Sequence, residues 1–146
     1  MYYYCTIKNI ETQVSTQTLI QLTSDENQDA IDRVVAEEAI IYSSTVIDGY
    51  LRGRYSLPLN TRFPLLRVIA IDISIYRLYS RRMRNEMPEV IAENYKNAIN
   101  LLKDIQKGLL TLETDSDSTI KMSAGDYKIN KDYMDRVFSK KRLNEY

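Results

Sequence analysis

Ile69-Ala70-Ile71-Asp72-Ile73-Ser74-Ile75 places an isoleucine at every second position, the alternation of a half-buried β-strand. Its flanks argue otherwise. From Leu65 to Arg84 neither Gly nor Pro interrupts, a run far longer than the roughly 5–6 residues of an ordinary strand. Leu66, Ile69, Ala70, Ile73, Tyr76 and Ser80 also trace a helical stripe, so length decides for a helix and for a mainly α fold. Asp72 lies inside this apolar segment, where an unpaired carboxylate is costly. Arg54 or Arg77 is the expected partner in a charge-assisted pair. A catalytic acid would want a second carboxylate or polar cleft residues nearby, and the sequence gives no sign of either. Arg77, Arg81, Arg82 and Arg84 close the helix, where cations complement the helix dipole; the alternative use of such a cluster is a patch facing nucleic acid or an acidic neighbour.

Toward the N-terminus, Ile31, Val35, Ala39, Tyr42, Val46 and Tyr50 recur three or four residues apart, with Ile40, Ile47 and Leu51 as a second apolar flank. This predicts a largely buried helix from about Gln28 to Leu51. It runs into Asp48-Gly49-Tyr50-Leu51-Arg52-Gly53-Arg54-Tyr55-Ser56-Leu57-Pro58-Leu59. Gly49 and Gly53 fall on nearly one face, where a missing Cβ lets a neighbouring backbone approach, and Gly53 is a candidate helix stop. Pro58 biases the residues around it, Ser56 to Leu59, toward extended backbone. Earlier still, Leu19, Ile20 and Leu22 predict a short helix capped near Ser15 or Thr16, and Tyr2 to Ile7 a short strand or extended arm. Asp25 to Asp29 is acidic but lacks the glycine and distal glutamate of a calcium loop; Asp25 is expected to cap the next helix instead.

Toward the C-terminus, Thr61 is a candidate cap with Pro64 in the first turn. A further helix opens after Asn85-Glu86-Met87-Pro88, with Ile91, Tyr95, Ala98, Leu102, Ile105 and Leu109 as its seam and Gly108 as its C-terminal cap. It should form an antiparallel hairpin with the isoleucine-rich helix. Beyond Leu112, Glu113-Thr114-Asp115-Ser116-Asp117-Ser118-Thr119 cannot bury a face, Ile120 to Ile129 suggests a weak hairpin, and the final stretch mixes basic with apolar residues. The organisation expected is a helical domain over 1–112 and a flexible linker with an interaction tail over 113–146.

At 146 residues the chain has room for one modest core. Lys plus Arg equals Asp plus Glu at 20 each, so no global field draws it to nucleic acid or an anionic membrane. It has no His and no Trp, which removes the usual neutral-pH proton shuttle and the commonest zinc ligand. Cys5 is the only cysteine and so makes no intrachain disulfide. The N-terminus has neither the basic nor the apolar region of a leader, so the chain reads as cytosolic. No run approaches the roughly 20 apolar residues needed to span a bilayer. The 12 Tyr against 2 Phe suit interfaces and core edges, since Tyr buries a ring and keeps a polar tip.

Asp48, Gly49, Tyr50, Leu51, Gly53, Arg54, Tyr55 and Leu57-Pro58-Leu59, followed by Pro64 and then by Asp72-Ile73 and Tyr76-Arg77-Leu78-Tyr79, resemble the Mu-like phage head-tail adaptor family of small virion connectors. Arg136-Val137-Phe138-Ser139 with Leu143 and Tyr146 resembles that family's tail motif. The Asn- and Asp-rich segment before the long second helix and the polar tail after Leu112 depart from the family pattern. The resemblance implies a small helical bundle with two long antiparallel helices, a shorter N-terminal helix and an extended C-terminal tail. It further implies a ring of identical subunits in the virion neck, assembled in the host cytoplasm between portal and tail-side connector proteins. Genome DNA would pass through the ring, and no membrane and no cofactor would be involved. Asp48, Gly49, Tyr50, Gly53, Arg54, Tyr55, Pro58, Asp72 and Arg77 would be its structural signature, and Arg136, Phe138, Leu143 and Tyr146 its interaction tail. The alternative is a small helical DNA-binding regulator acting through Arg77 to Arg84; a catalytic role is the least favoured.

Overall fold

A computed structural model describes residues 3–25, 29–59, 62–82 and 87–112. The described residues form five helices and no strand: α1 (Ile7–Val14), α2 (Thr16–Thr23), α3 (Arg33–Leu51), α4 (Pro64–Ser80) and α5 (Glu89–Lys107). The isoleucine-rich segment is thus α4. Leu66, Ile69, Ala70 and Ile73 bury one side of it, while Ile71 is only half-buried, as a helical and not a strand register requires.

Two starts differ from the sequence reading. The expected strand or arm over Tyr2 to Ile7 gives way to α1, because Thr6 and Asn9 close a reciprocal capping box: Thr6 Oγ1 accepts from the Asn9 N–H and Asn9 Oδ1 from the Thr6 N–H. Asp32, not Asp25, caps α3, accepting from Val34 N at 2.9 Å and Val35 N at 3.3 Å. The helix therefore begins at Arg33, later than expected. Ser15 caps α2 through Thr18 N, one of the two caps the sequence offers, and it also ends the unexpected α1. Before α4, Pro64 occupies the first turn with Phe63 as the cap residue and no side-chain capping bond; the proposed cap Thr61 lies outside the described residues.

α3 and α4 form the central pair. They meet through small residues: Ser74 Oγ lies 2.7 Å from the Ala70 carbonyl, 2.9 Å from Ser43 Oγ and 3.4 Å from the Ala39 carbonyl. Ala and Ser at a crossing let helix axes approach, and the hydroxyls find carbonyl or hydroxyl partners in the buried seam. Ser44 Oγ is also buried but has no hydrogen-bond partner among the described residues. Directions follow from the ends. Arg81 after α4 reaches the α2 carbonyl of Leu22, and Thr23 Oγ1 accepts from the Asp32 N–H at the start of α3, so α3 and α4 are antiparallel. Arg54 after α3 reaches the Ile105 carbonyl near the end of α5, so α5 runs with α3 and against α4.

α1 and α2 pack on α3 and α4, as does α5, yet α5 comes close to neither α1 nor α2. The result is three layers: the short helices, the α3/α4 pair, and α5. Ala98, Leu102 and Ile105 of α5 are buried. The expected seam stops there, because Gly108 takes a left-handed φ of 84° and leaves Leu109 77% exposed. The mainly α bundle expected from the sequence is what these residues form, with α4 and α5 antiparallel and α3 as a third long helix.

Candidate functional site

The segment from Asp48 to Leu59 joins distant parts of the fold. Asp48 Oδ1 accepts from the Tyr4 hydroxyl at 2.5 Å, pinning the N-terminal arm to the end of α3. α3 stops at Leu51, whose carbonyl accepts from Arg54 N and Tyr55 N; Gly53 does not take positive φ, so a turn and not a left-handed glycine ends the helix. Leu57-Pro58 is a cis peptide within bent, non-helical backbone. Arg54 Nη1 donates to the Ile105 carbonyl at 2.8 Å and lies against Gly108, a cation on the negative end of α5. Tyr55 is buried, and its hydroxyl accepts from the Leu112 N–H at 3.0 Å.

Gly49 and Gly53 do not serve a close approach within the chain. A Cβ at either position would meet nothing within 4 Å. Gly49 instead borders an open groove of about 510 Å³ between α3 and α5, whose walls include Tyr42, Val46, Tyr50, Tyr95 and Ile99. Tyr95 stacks on Tyr76 with ring centroids 3.9 Å apart and 12° between planes. Burial, followed by the neighbouring tyrosines, holds the Tyr95 phenol above its usual range.

Arg77 in the last turn of α4 and Arg81 at its C-cap close the helix as the sequence reading expects, and their side chains have specific partners. Arg77 sits 4.8 Å over the Tyr42 ring, a cation–π contact across α3 and α4. Arg81 makes a two-pronged pair with Asp25 at 3.1 and 2.6 Å, and Arg82 reaches both Asp25 and the Ser24 carbonyl. The Arg81 hydrogen bond holds Asp25 below the usual carboxylate range. These cations close the α2 end; Arg84 lies outside the described residues. With Arg54 and Arg77 engaged, neither pairs with Asp72 as expected. Asp72 is half-buried, with no ion pair or hydrogen bond to any described residue, and desolvation raises its pKa.

The profile of the family described as Bacteriophage Mu, Gp36 matches residues 4–131. The chain belongs to the Gp36 family. One relative, the Mu-like prophage FluMu protein gp36 of Haemophilus influenzae, is 26% identical over 126 residues, covering 86% of each chain. The Gp36 match spans all five helices and the turn after α3, so the residues singled out there belong to a phage protein. The tail residues Arg136, Phe138, Leu143 and Tyr146 lie beyond the match and outside the described residues. Among the described residues no helix is long and apolar enough to cross a membrane, and no three metal-capable side chains cluster.

A second concavity of the Gp36 body was not foreseen, because its wall comes from three separated segments. It is a cleft of about 980 Å³ between the N-terminal arm, α3 and the start of α4. Tyr3 and Phe63 give it aromatic surface; Lys8, Arg62 and Arg67 line it with positive charge, and Glu37 is the one acidic side chain among the described residues of its wall. Cys5 borders it but is buried, and burial pushes its thiol pKa up, which disfavours the reactive thiolate. The only legible signal was cationic residues flanking aromatic ones at Tyr3 to Lys8 and Arg62 to Arg67.

Proposed function

We propose that this phage protein is a head-tail connector, forming a homo-oligomeric ring in the virion neck between the portal and tail-side connector proteins. Its work is binding and geometry: the genome passes through the ring, and assembly takes place in the host cytoplasm without a membrane or cofactor. Membership of the Mu Gp36 family carries this reading. The fold suits it, since a small layered bundle with grooves on different faces can meet unlike surfaces of its neighbours, and heterologous contacts that close make rings. The tail, with Arg136, Phe138, Leu143 and Tyr146, supplies apolar and cationic anchors for an adjacent ring and would order on contact. Within the chain Arg77 stacks on Tyr42 and Arg81 and Arg82 pair with Asp25, which favours a structural use of these cations over the DNA-binding alternative.

The test is joining. Phage lacking this protein should accumulate filled heads and free tails, and purified protein should restore their union in extract. Normal particles from the deletion, or purified virions without the protein, would overturn the reading.

A further inference from the structure

We propose that the cleft beside α1 receives the acidic segment Glu113-Thr114-Asp115-Ser116-Asp117 of a second copy of this chain. The inference rests on the ring reading above and names the surface through which neighbouring copies meet.

Charge is the first observation. Lys8, Arg62 and Arg67 line the cleft, all three are exposed, and none of their side chains makes a salt bridge or hydrogen bond to any described residue. The α4 arginines Arg77, Arg81 and Arg82, by contrast, are all engaged. Glu113, Asp115 and Asp117 put three carboxylates into five residues with no intervening cation. An exposed ion pair contributes little affinity by itself, so the pairing sets register and encounter while Tyr3 and Phe63 supply apolar contact.

Placement is the second. The cleft is on the α1 side of the central α3/α4 pair, whereas Leu112, from which the acidic segment departs, follows α5 on the other side. A segment leaving one face and a receptor on the opposite face make a head-to-tail contact. Repeated, that contact generates a closed ring or a filament and not an isologous dimer.

Lys8 supplies the test, because a carbodiimide joins its amine to a carboxylate held beside it. Equal amounts of full-length protein, one isotope-labelled and one not, are mixed, cross-linked and digested. The expected result is Lys8 joined to peptides carrying Glu113, Asp115 or Asp117 with mixed isotopes. The yield should fall severalfold in Arg62→Ser/Arg67→Ser, whose exposed side chains bond no described residue, and in about 1 M salt, where the Debye length is near 3 Å. Links of a single isotope would mean that the segment folds onto its own body, overturning the proposal. So would the absence of Lys8 links, or mixed links indifferent to the arginine substitutions. No portal or virion is needed, so failure here is separable from failure of the joining assay.

Discussion

Replacing Gly108 with Ala tests how the turn after α3 is coupled to the end of α5. Gly108 holds φ at 84°, where a Cβ costs about 1 kcal/mol. That Cβ would also stand 2.6 Å from Arg54 Nη1, so the guanidinium must withdraw from the Ile105 carbonyl it now meets at 2.8 Å. A hydrogen bond to a charged group contributes about 1.5–3 kcal/mol, reduced here to about 1 kcal/mol because Arg54 is only half-buried and partly screened. Gly108→Ala should therefore destabilise by about 2 kcal/mol. In an Arg54→Ala background only the backbone cost of about 1 kcal/mol remains, which leaves a coupling of about 1 kcal/mol between the sites. Urea unfolding of the four proteins, followed by far-UV circular dichroism, measures the cycle provided the denaturant slope is constant. Additivity to within about 0.3 kcal/mol would refute the argument.

Three other substitutions probe the same body. Gly49→Ala should stabilise the isolated protein by about 0.5–1 kcal/mol, since it removes a helix-interior glycine where a Cβ meets nothing; a fall in melting temperature would show that the site is closed. Tyr55→Phe should cost about 1–3 kcal/mol, by leaving the buried Leu112 N–H without its acceptor, and faster hydrogen exchange at Leu112 is the direct readout. Asp72→Asn carries a pH signature. Burial raises the folded pKa of Asp72, so its ionisation weakens the fold, and stability present below the unfolded pKa of about 3.9 is lost as pH rises through the folded value. The variant should match the parent near pH 3 and exceed it at pH 7 by up to about 1 kcal/mol, allowing for its exposed half; an Asn variant less stable at pH 7 would mean that the carboxylate has a cationic partner.

Periodicity carried the sequence reading where burial is one-sided and long, as in α5, whose Ala98, Leu102 and Ile105 were read directly as core. In α4 it was ambiguous, because isoleucine at every second position satisfies both periods, and only the uninterrupted length separated them. α1 was missed: its signal is the Thr6 and Asn9 box, and an apolar pattern over eight residues is too short to announce itself. The turn after α3 was legible as important but not in its wiring. Nothing in the spacing says that Arg54 reaches α5, 51 positions away, and so the sequence offers it, beside Arg77, as a partner for the nearer carboxylate of Asp72. The glycines misled for a related reason: a sequence records that a side chain is absent but not what occupies the space. The cleft beside α1 depends on three segments converging, a property of the tertiary fold.

The Tyr55 clasp on Leu112 also turns the chain beyond it into a ruler. Covalent geometry allows at most about 3.3–3.6 Å per residue, and Asp117 is five residues past Leu112. Its Cα therefore cannot lie farther than about 18 Å from that of Leu112, whatever path the chain takes. If Asp117 reaches a neighbour's cleft, this tether caps the spacing between adjacent copies, and with it how far the circle they form can be widened.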